Sequence, residues 1–267
     1  MRRLPITDAA DPRVHEYTQL TDVQLRRARE AAEGLFLAEG EKVILRALEA
    51  GFAPRSALME PKWLAGLAPM LAAHDVDVYL ADEQILKQVV GYRLHRGALA
   101  AFTRKPLPRV PDVIANARRL VVLEDLVDHT NVGLIFRSAA ALGADAVLVS
   151  PQCADPLYRR SVKVSMGSVF AVPWTKAHPW PWVLDDLGDA GFQRLALTPA
   201  SDAVSLRDWH PGPDLRIALL LGTEGAGLSA QALKRVDTKI RIPMSHGVDS
   251  LNVATTAAIA SFALWPE

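Results

Sequence analysis

Three short stretches in the C-terminal half of this 267-residue chain combine glycines with polar side chains able to handle a ligand. The first reads Glu124, Asp125, Leu126, Val127, Asp128, His129, Thr130, Asn131, Val132, Gly133, and Arg137 follows it. An arginine near a helix N-terminus and off its buried face can grip a phosphate or a substrate. The alternative is that Asn131 only caps the helix and Arg137 only meets solvent. The second stretch reads Gly222, Thr223, Glu224, Gly225, Ala226, Gly227, Leu228, Ser229. Its glycines let a ligand approach the main chain, but no Lys followed by Ser or Thr makes it a P-loop, and its spacing is not the dinucleotide fingerprint. Glu224 disfavours a phosphate and suits a ligand with donor groups or positive charge; a simple glycine turn leading into a helix is the other reading. The third stretch runs from Pro243 and Met244 through Ser245, His246, Gly247, Val248 and Asp249 to Ser250, Leu251, Asn252 and Val253. Ser250 has the chemistry of an N-cap, and Asn252 in the next turn can bind a ligand or stay solvated.

Each stretch follows an apolar run rich in β-branched residues or leucine, at 120–123, 217–221 and 239–242, and similar runs occupy 146–149 and 194–197. Continuous apolar runs of this length predict strands buried on both faces of a parallel sheet. In such a sheet ligands bind beyond the carboxyl ends of the strands, where all three stretches lie. A helix predicted over 131–142 and stopped by Gly143 would bury Val132, Ile135, Ala139 and Leu142, which leaves Arg137 on another face. A last helix is expected over 251–265. Upstream, Pro106, Pro108 and Pro111 break regular structure within 104–111. This linker divides the expected domains, 1–103 and 112–267. In the first, Thr21 and Gln24 have capping-box spacing and open a basic helix reaching about Glu33. Short apolar stretches at 36–37, 57–59, 76–80 and 98–102 alternate with helical ones such as 41–50, the pattern of a small α/β domain of about four strands.

Half of the residues are hydrophobic and 22% are charged, the balance of a globular protein. Thirty basic residues offset thirty acidic ones, so no whole-molecule field attracts nucleic acid. RNA contact would have to come from local patches, for which Arg26, Arg27 and Arg29, and further on Arg159, Arg160 and Lys163, are the candidates. Cys153 is the only cysteine, which excludes an internal disulfide and a thiolate metal cluster within the chain. The histidines are scattered, so no metal is expected. With neither a signal-peptide body nor a run long enough to span a bilayer, a cytoplasmic protein without membrane contact is expected. Trp174, Trp180 and Trp182 are read as packing under a loop rather than stacking on bases.

Taken together, Asn131, Gly133 and Arg137, then Gly222, Glu224, Gly225 and Gly227, then Ile242, Pro243, Met244, Ser250, Leu251, Asn252 and Val253 resemble, in order and spacing, the three motifs of the SpoU or TrmH-like RNA ribose methyltransferases of the SPOUT superfamily. The resemblance runs from Leu120 to the C-terminus, including 156–173 with Ser165, Met166 and Gly167. It is weaker over 36–48, which looks like the start of that family's ribosomal-protein-like RNA-binding domain. The chain departs from the pattern at His129, where many members carry proline.

The resemblance implies an α/β fold: a SPOUT domain with a trefoil knot and a mostly parallel sheet, preceded by a small α/β RNA-binding domain, in a homodimer. It implies S-adenosylmethionine held by the backbone around Gly222, Ile242 and Leu251, with Leu221, Met244 and Gly227 beside them. Asn131, Arg137, Glu224, Ser250 and Asn252 would surround the reacting groups during methylation of a ribose 2′-hydroxyl in ribosomal or transfer RNA. An arginine stays protonated in proteins, so Arg137 is read as a phosphate grip rather than a general base. The competing readings are base methylation, an RNA binder without catalysis, and a nucleotide-dependent oxidoreductase. The last is weakened by the lack of a glycine fingerprint after Leu123.

Overall fold

A computed structural model describes residues 1–94, 97–212 and 215–265, without the side chains of Val23, Arg27 and Ala28. Along the chain run β1 (Arg2–Pro5), α1 (Val23–Ala32), β2 (Leu35–Glu39), α2 (Glu41–Glu49), β3 (Pro54–Met59), α3 (Leu64–Ala72), β4 (Asp77–Leu80), α4 (Glu83–Val90) and β5 (Ala98–Thr103). Then come α5 (Val110–Ile114), β6 (Arg119–Leu123), α6 (His129–Ala141), β7 (Ala146–Val149), α7 (Arg159–Val164), β8 (Trp174–Lys176), α8 (Val183–Asp189) and β9 (Phe192–Leu197). β10 (Val204–Ser205), β11 (Arg216–Leu221), α9 (Ala230–Leu233), β12 (Thr238–Arg241) and α10 (Val253–Leu264) complete the chain. Two compact units result: Met1–Pro106 with Leu157–Phe170, and Leu107–Pro156 with Ala171–Glu267. The first change of unit, after Pro106, falls within the proline-rich 104–111. The return of 157–170 to the first unit has no counterpart in the sequence reading.

The first unit holds a five-stranded sheet ordered β1-β4-β3-β5-β2, one strand more than expected. β1, β4 and β3 are parallel, while β5 is antiparallel to both β3 and β2. The additional strand, β1, has almost no hydrophobic signature. It is defined by pairing with β4 and by the two-pronged contact of Arg2 with Asp77, at 2.6 and 2.8 Å. Period-two alternation sends Leu35, Leu37, Leu99 and Ala101 into one core with Leu58, Leu86 and Val90. Phe36 and Phe102 take the other face, stacked at 5.3 Å and joined by Phe52 and Phe170. The α1 helix starts one residue later than the capping box predicted: Asp22 is the N-cap and accepts the amide of Leu25 at 2.9 Å.

The second unit is built on a seven-stranded sheet ordered β10-β12-β9-β11-β6-β7-β8. Every described pairing in it is parallel. The five expected strands are joined by β8 and β10, which sit at the sheet edges and are too short to show periodicity. Leu120, Val122, Leu148, Ala218 and Leu220 face a core completed by Val183, Leu184, Leu187 and Ala232. Their alternates face the opposite side, where α6 and α10 pack together. Since β6 leads outward to β7 and β8 while β9, β11 and β12 lie on its other side, the strand order reverses there. The carboxyl ends of these strands are thus the place for a site.

Candidate functional site

At the carboxyl end of β6 the chain turns sharply, and Asp125 takes a left-handed φ of +54°. Hydrogen bonds to the next strand's loop hold this turn: the Asp125 amide donates to Ser150 Oγ at 2.9 Å, and the Ser150 hydroxyl donates to Asp125 Oδ1 at 2.6 Å. The Leu126 amide reaches Cys153 Sγ at 3.3 Å. The N-cap of α6 is Asp128, which accepts the Thr130 amide at 2.7 Å. Asn131 is therefore not a cap; it sits in the first helical turn, 5% exposed, with its amide free to face other loops. Arg137 is exposed and, among the described residues, has no hydrogen-bond or ion-pair partner.

Beyond β11, a hairpin-like turn closes with the Gly227 amide donating to the Thr223 carbonyl at 2.9 Å. Gly225 and Gly227 have φ of +83° and +71°, which favour glycine. Gly222 is required for a different reason: a Cβ there would lie 2.2 to 2.4 Å from the main chain of Gly227 and Leu228. Beyond β12, the segment to α10 turns at His246 and Gly247. Here the structure corrects an assignment. The N-cap of α10 is Asn252, whose Oδ1 accepts the amides of Ala254 at 2.9 Å and Thr255 at 3.3 Å. Ser250 is not the cap; it lies in the exposed segment before it.

These loops meet in one set of side chains. Asn131 Nδ2 donates to Glu224 Oε1 at 2.8 Å, and Asn252 Nδ2 donates to Asn131 Oδ1 at 3.0 Å and to Glu224 Oε1 at 3.2 Å. Residues far apart in the chain thus form a closed triangle that fixes three loops against each other. Beside it opens a cleft of about 340 Å³. Leu221, Gly222, Gly227, Ile242, Met244 and Leu251 line it, as do Glu224, Ser250 and Asn252, whereas Asn131 and Arg137 do not. One wall is apolar and the other offers main chain and a carboxylate, so a ligand with a flat apolar part and a donor or cationic part would be accommodated. Leu197, Thr198, Pro199 and Thr256 also line the cleft and were missed by the sequence reading. The loop after 194–197 follows an apolar strand like the others, so its position was the signal available; it lacks a distinctive side chain.

The predicted RNA-contacting residues fare unevenly. Arg26 is no surface group: its side chain is 1% exposed and paired with Glu30 at 3.0 Å on the inner side of α1. Arg29 pairs with Glu33 at 2.7 Å and donates to the His15 carbonyl at 2.9 Å. The side chain of Arg27 lies outside the described residues. Arg159 and Lys163 belong to the first unit, where they flank the buried Glu39 at 2.7 and 2.5 Å. Arg159 also donates to the hydroxyl of Tyr92 and the carbonyl of Leu20. Both were named from sequence as candidate RNA contacts, but a buried carboxylate pairs with them. Arg160 is exposed. Trp180 packs against the core of the second unit and donates to Glu124 at 2.7 Å, as expected of a residue under a loop; Trp182 is 54% exposed. Among the described residues no group of His, Cys, Asp or Glu is arranged to hold a metal ion, and no helix is long and apolar enough to cross a membrane.

Residues 118–262 match the SpoU rRNA Methylase family, and residues 11–96 match the MRM3-like substrate binding domain. A protein of Mycobacterium tuberculosis described as an uncharacterized tRNA/rRNA methyltransferase is 43% identical over 258 residues, covering 96% of this chain and 90% of its own. The crystal structure of the SpoU methyltransferase AviRb from Streptomyces viridochromogenes in complex with AdoMet superposes with a TM-score of 0.79 at 25% identity, covering 95% of this chain and 97% of that one. A crystal structure of an RNA 2′-O ribose methyltransferase superposes with a TM-score of 0.75 at 29% identity, covering 98% and 97%.

Proposed function

The chain belongs to the SpoU rRNA methylase family, and we propose that it transfers a methyl group from S-adenosylmethionine to a ribose 2′-hydroxyl of a ribosomal or transfer RNA. The observation that carries this reading is the cleft at the carboxyl ends of β9, β11 and β12, bordered by the Asn131–Glu224–Asn252 triangle. The cleft suits the cofactor on structural grounds. Gly222 leaves no room for a side chain, Leu221, Ile242, Met244 and Leu251 offer apolar contact, and exposed Glu224 can accept donors. When bound, S-adenosylmethionine supplies an activated methyl group on a sulfonium.

The chain's own contribution is to hold the acceptor and manage its charge. Asn131 and Asn252 fix Glu224, and through it the glycine loop, so the rigid part of the site is preorganised before RNA arrives. Arg137 remains cationic. We assign it the grip on an RNA phosphate next to the target ribose, with that phosphate or a water taking the hydroxyl proton. The first unit, spanning the expected domain 1–103, selects the RNA, and shape and unpaired loops can supply its specificity without a large net charge. Among the described basic residues named from sequence, exposed Arg160 is the surviving candidate contact; 104–111 serves as linker and 112–267 as the methyltransferase domain. The trefoil knot is proposed along with this reading. So is a homodimer, supported by Ile259 (40% exposed) and Phe262 (77% exposed) on α10 and Leu134 (37% exposed) on α6. A cytoplasmic location follows from an RNA substrate of this class.

Calorimetric titration with S-adenosylmethionine, with NADH as control, tests the cofactor. Saturable binding of the first alone is expected; binding of neither would favour an RNA binder without catalysis. Nucleoside analysis of methylated RNA tests the acceptor, and a methylated base in place of a methylated ribose would overturn that part. Arg137→Ala is expected to abolish transfer. Arg137→Lys should retain part of it, because a phosphate grip needs charge. Full loss in Arg137→Lys with RNA affinity unchanged would refute the assigned role.

A further inference from the structure

The geometry points to Glu124 as the residue that positions the glycine loop, and so shapes the cofactor cleft, a role whose functional half rests on the reading of that cleft given above. Glu124 is the first residue past β6, and its side chain is buried at 3% exposure. It has no ion-pair partner among the described residues. Instead its carboxylate accepts two neutral donors: Trp180 Nε1 at 2.7 Å on Oε1 and the Ser229 amide at 2.8 Å on Oε2. Its own amide donates to the Leu221 carbonyl at 2.8 Å.

Leu221 and Ser229 are the residues immediately before and after the loop 222–228. Glu124 therefore holds both ends of that loop, one through main chain and one through side chain. Between these anchors the chain doubles back so tightly that Gly222 touches Gly227 and Leu228, and Glu224 is carried at the turn. The same residue begins the loop that leads to Asn131, so the tether ties the two loops whose side chains meet at 2.8 Å. Burying a carboxylate without a cation is costly. What it provides is two acceptor atoms with no donor between them. A glutamine would turn an NH₂ toward one of the two N–H groups, leaving both unpaired and buried.

The test uses the full chain and two readouts, amide hydrogen exchange over 222–229 and calorimetric affinity for S-adenosylmethionine. Glu124→Gln should speed exchange in this segment and weaken the cofactor at least about fivefold, the lower end of what an unpaired buried donor costs. Trp180→Phe, which removes only the other bond, should leave both readouts near wild type. Ser229→Pro keeps the carboxylate and deletes the donor at a residue whose φ of −62° suits proline. It should reproduce Glu124→Gln, with Ser229→Ala controlling for the lost hydroxyl, and it serves if Glu124→Gln fails to fold. Unchanged exchange in both loop variants overturns the proposal, and so does a Trp180→Phe effect of equal size. Faster exchange with wild-type affinity would overturn the link to the cleft. Faster exchange in a protein whose wild type takes no S-adenosylmethionine would uphold the tether and defeat the cofactor reading instead.

Discussion

One amide serves both a helix and the site at Asn252. Its oxygen caps α10 and its nitrogen joins Asn131 and Glu224, so substitutions can separate the two roles. Asn252→Asp keeps an acceptor for the cap but sets a second carboxylate against Glu224. Two carboxylates so close cannot both ionise freely, and one is pushed toward protonation. Methyl transfer should therefore be lost at alkaline pH and partly regained as the pH falls, because a protonated carboxyl restores a donor. A flat pH profile in that variant would argue that the triangle does not matter for transfer. Asn252→Ala should also lose about 1 kcal/mol of stability with the cap. At Gly222 the constraint is steric: an added Cβ forces the main chain at Gly227 to move. Overpacking of this kind costs about 1–3 kcal/mol, so Gly222→Ala should weaken the cofactor roughly 5- to 150-fold in the same titration.

Among the elements, α7 shows how a basic stretch becomes structural. Burial alone would raise the pKa of Glu39, but the hydrogen bond and charge of Lys163, the charge of Arg159 and the hydroxyl of Tyr92 outweigh it and hold the carboxyl below its ordinary value. Because the folded-state pKa is the lower one, this pairing stabilises the fold fully at neutral pH. The contribution is lost as the pH falls below the unfolded value and through the folded one. The urea midpoint of wild type should fall with acid more steeply than that of Glu39→Gln. Removing one partner of a buried pair costs about 3–5 kcal/mol, so Arg159→Met, at 16% side-chain exposure, should destabilise by roughly that order. Lys163→Met, 46% exposed, should cost less than about 1 kcal/mol. RNA affinity measured on the folded protein should change little in either. On α10, Ile259 and Phe262 lie one turn apart and exposed; Phe262→Glu should shift the protein toward monomer in sedimentation, with the cofactor cleft intact.

At the scale of the whole molecule, ligand binding to the folded state alone raises stability by mass action. Saturating S-adenosylmethionine at about a hundred times its Kd should add roughly 2.7 kcal/mol, read as a higher Tm that NADH does not produce. The absence of net charge predicts that RNA binding depends on few phosphate contacts. Its affinity should then fall with salt along a shallow slope, and Arg137→Ala should reduce that slope by about one.

What the sequence settled on its own was local: the apolar runs of β6, β7, β9, β11 and β12 and the residue types in three loops at carboxyl ends of strands; the prolines of 104–111 did not keep α5 from starting at Val110. Runs and loops are each written in consecutive residues, since periodicity and loop chemistry act over one short window. Only the tertiary structure decided the rest. The edge strands β1, β8 and β10 exist by pairing rather than by their own side chains. Whether a basic residue is a surface charge depends on what lies across from it: Arg159 meets Glu39 from 120 positions away, and Arg26 turns inward to Glu30. The same holds for the site. Asn131, Glu224 and Asn252 could be named one by one from sequence, but a buried amide needs its donors and acceptors satisfied, and which of them satisfy one another is fixed only when the strands bring their loops to one edge of the sheet.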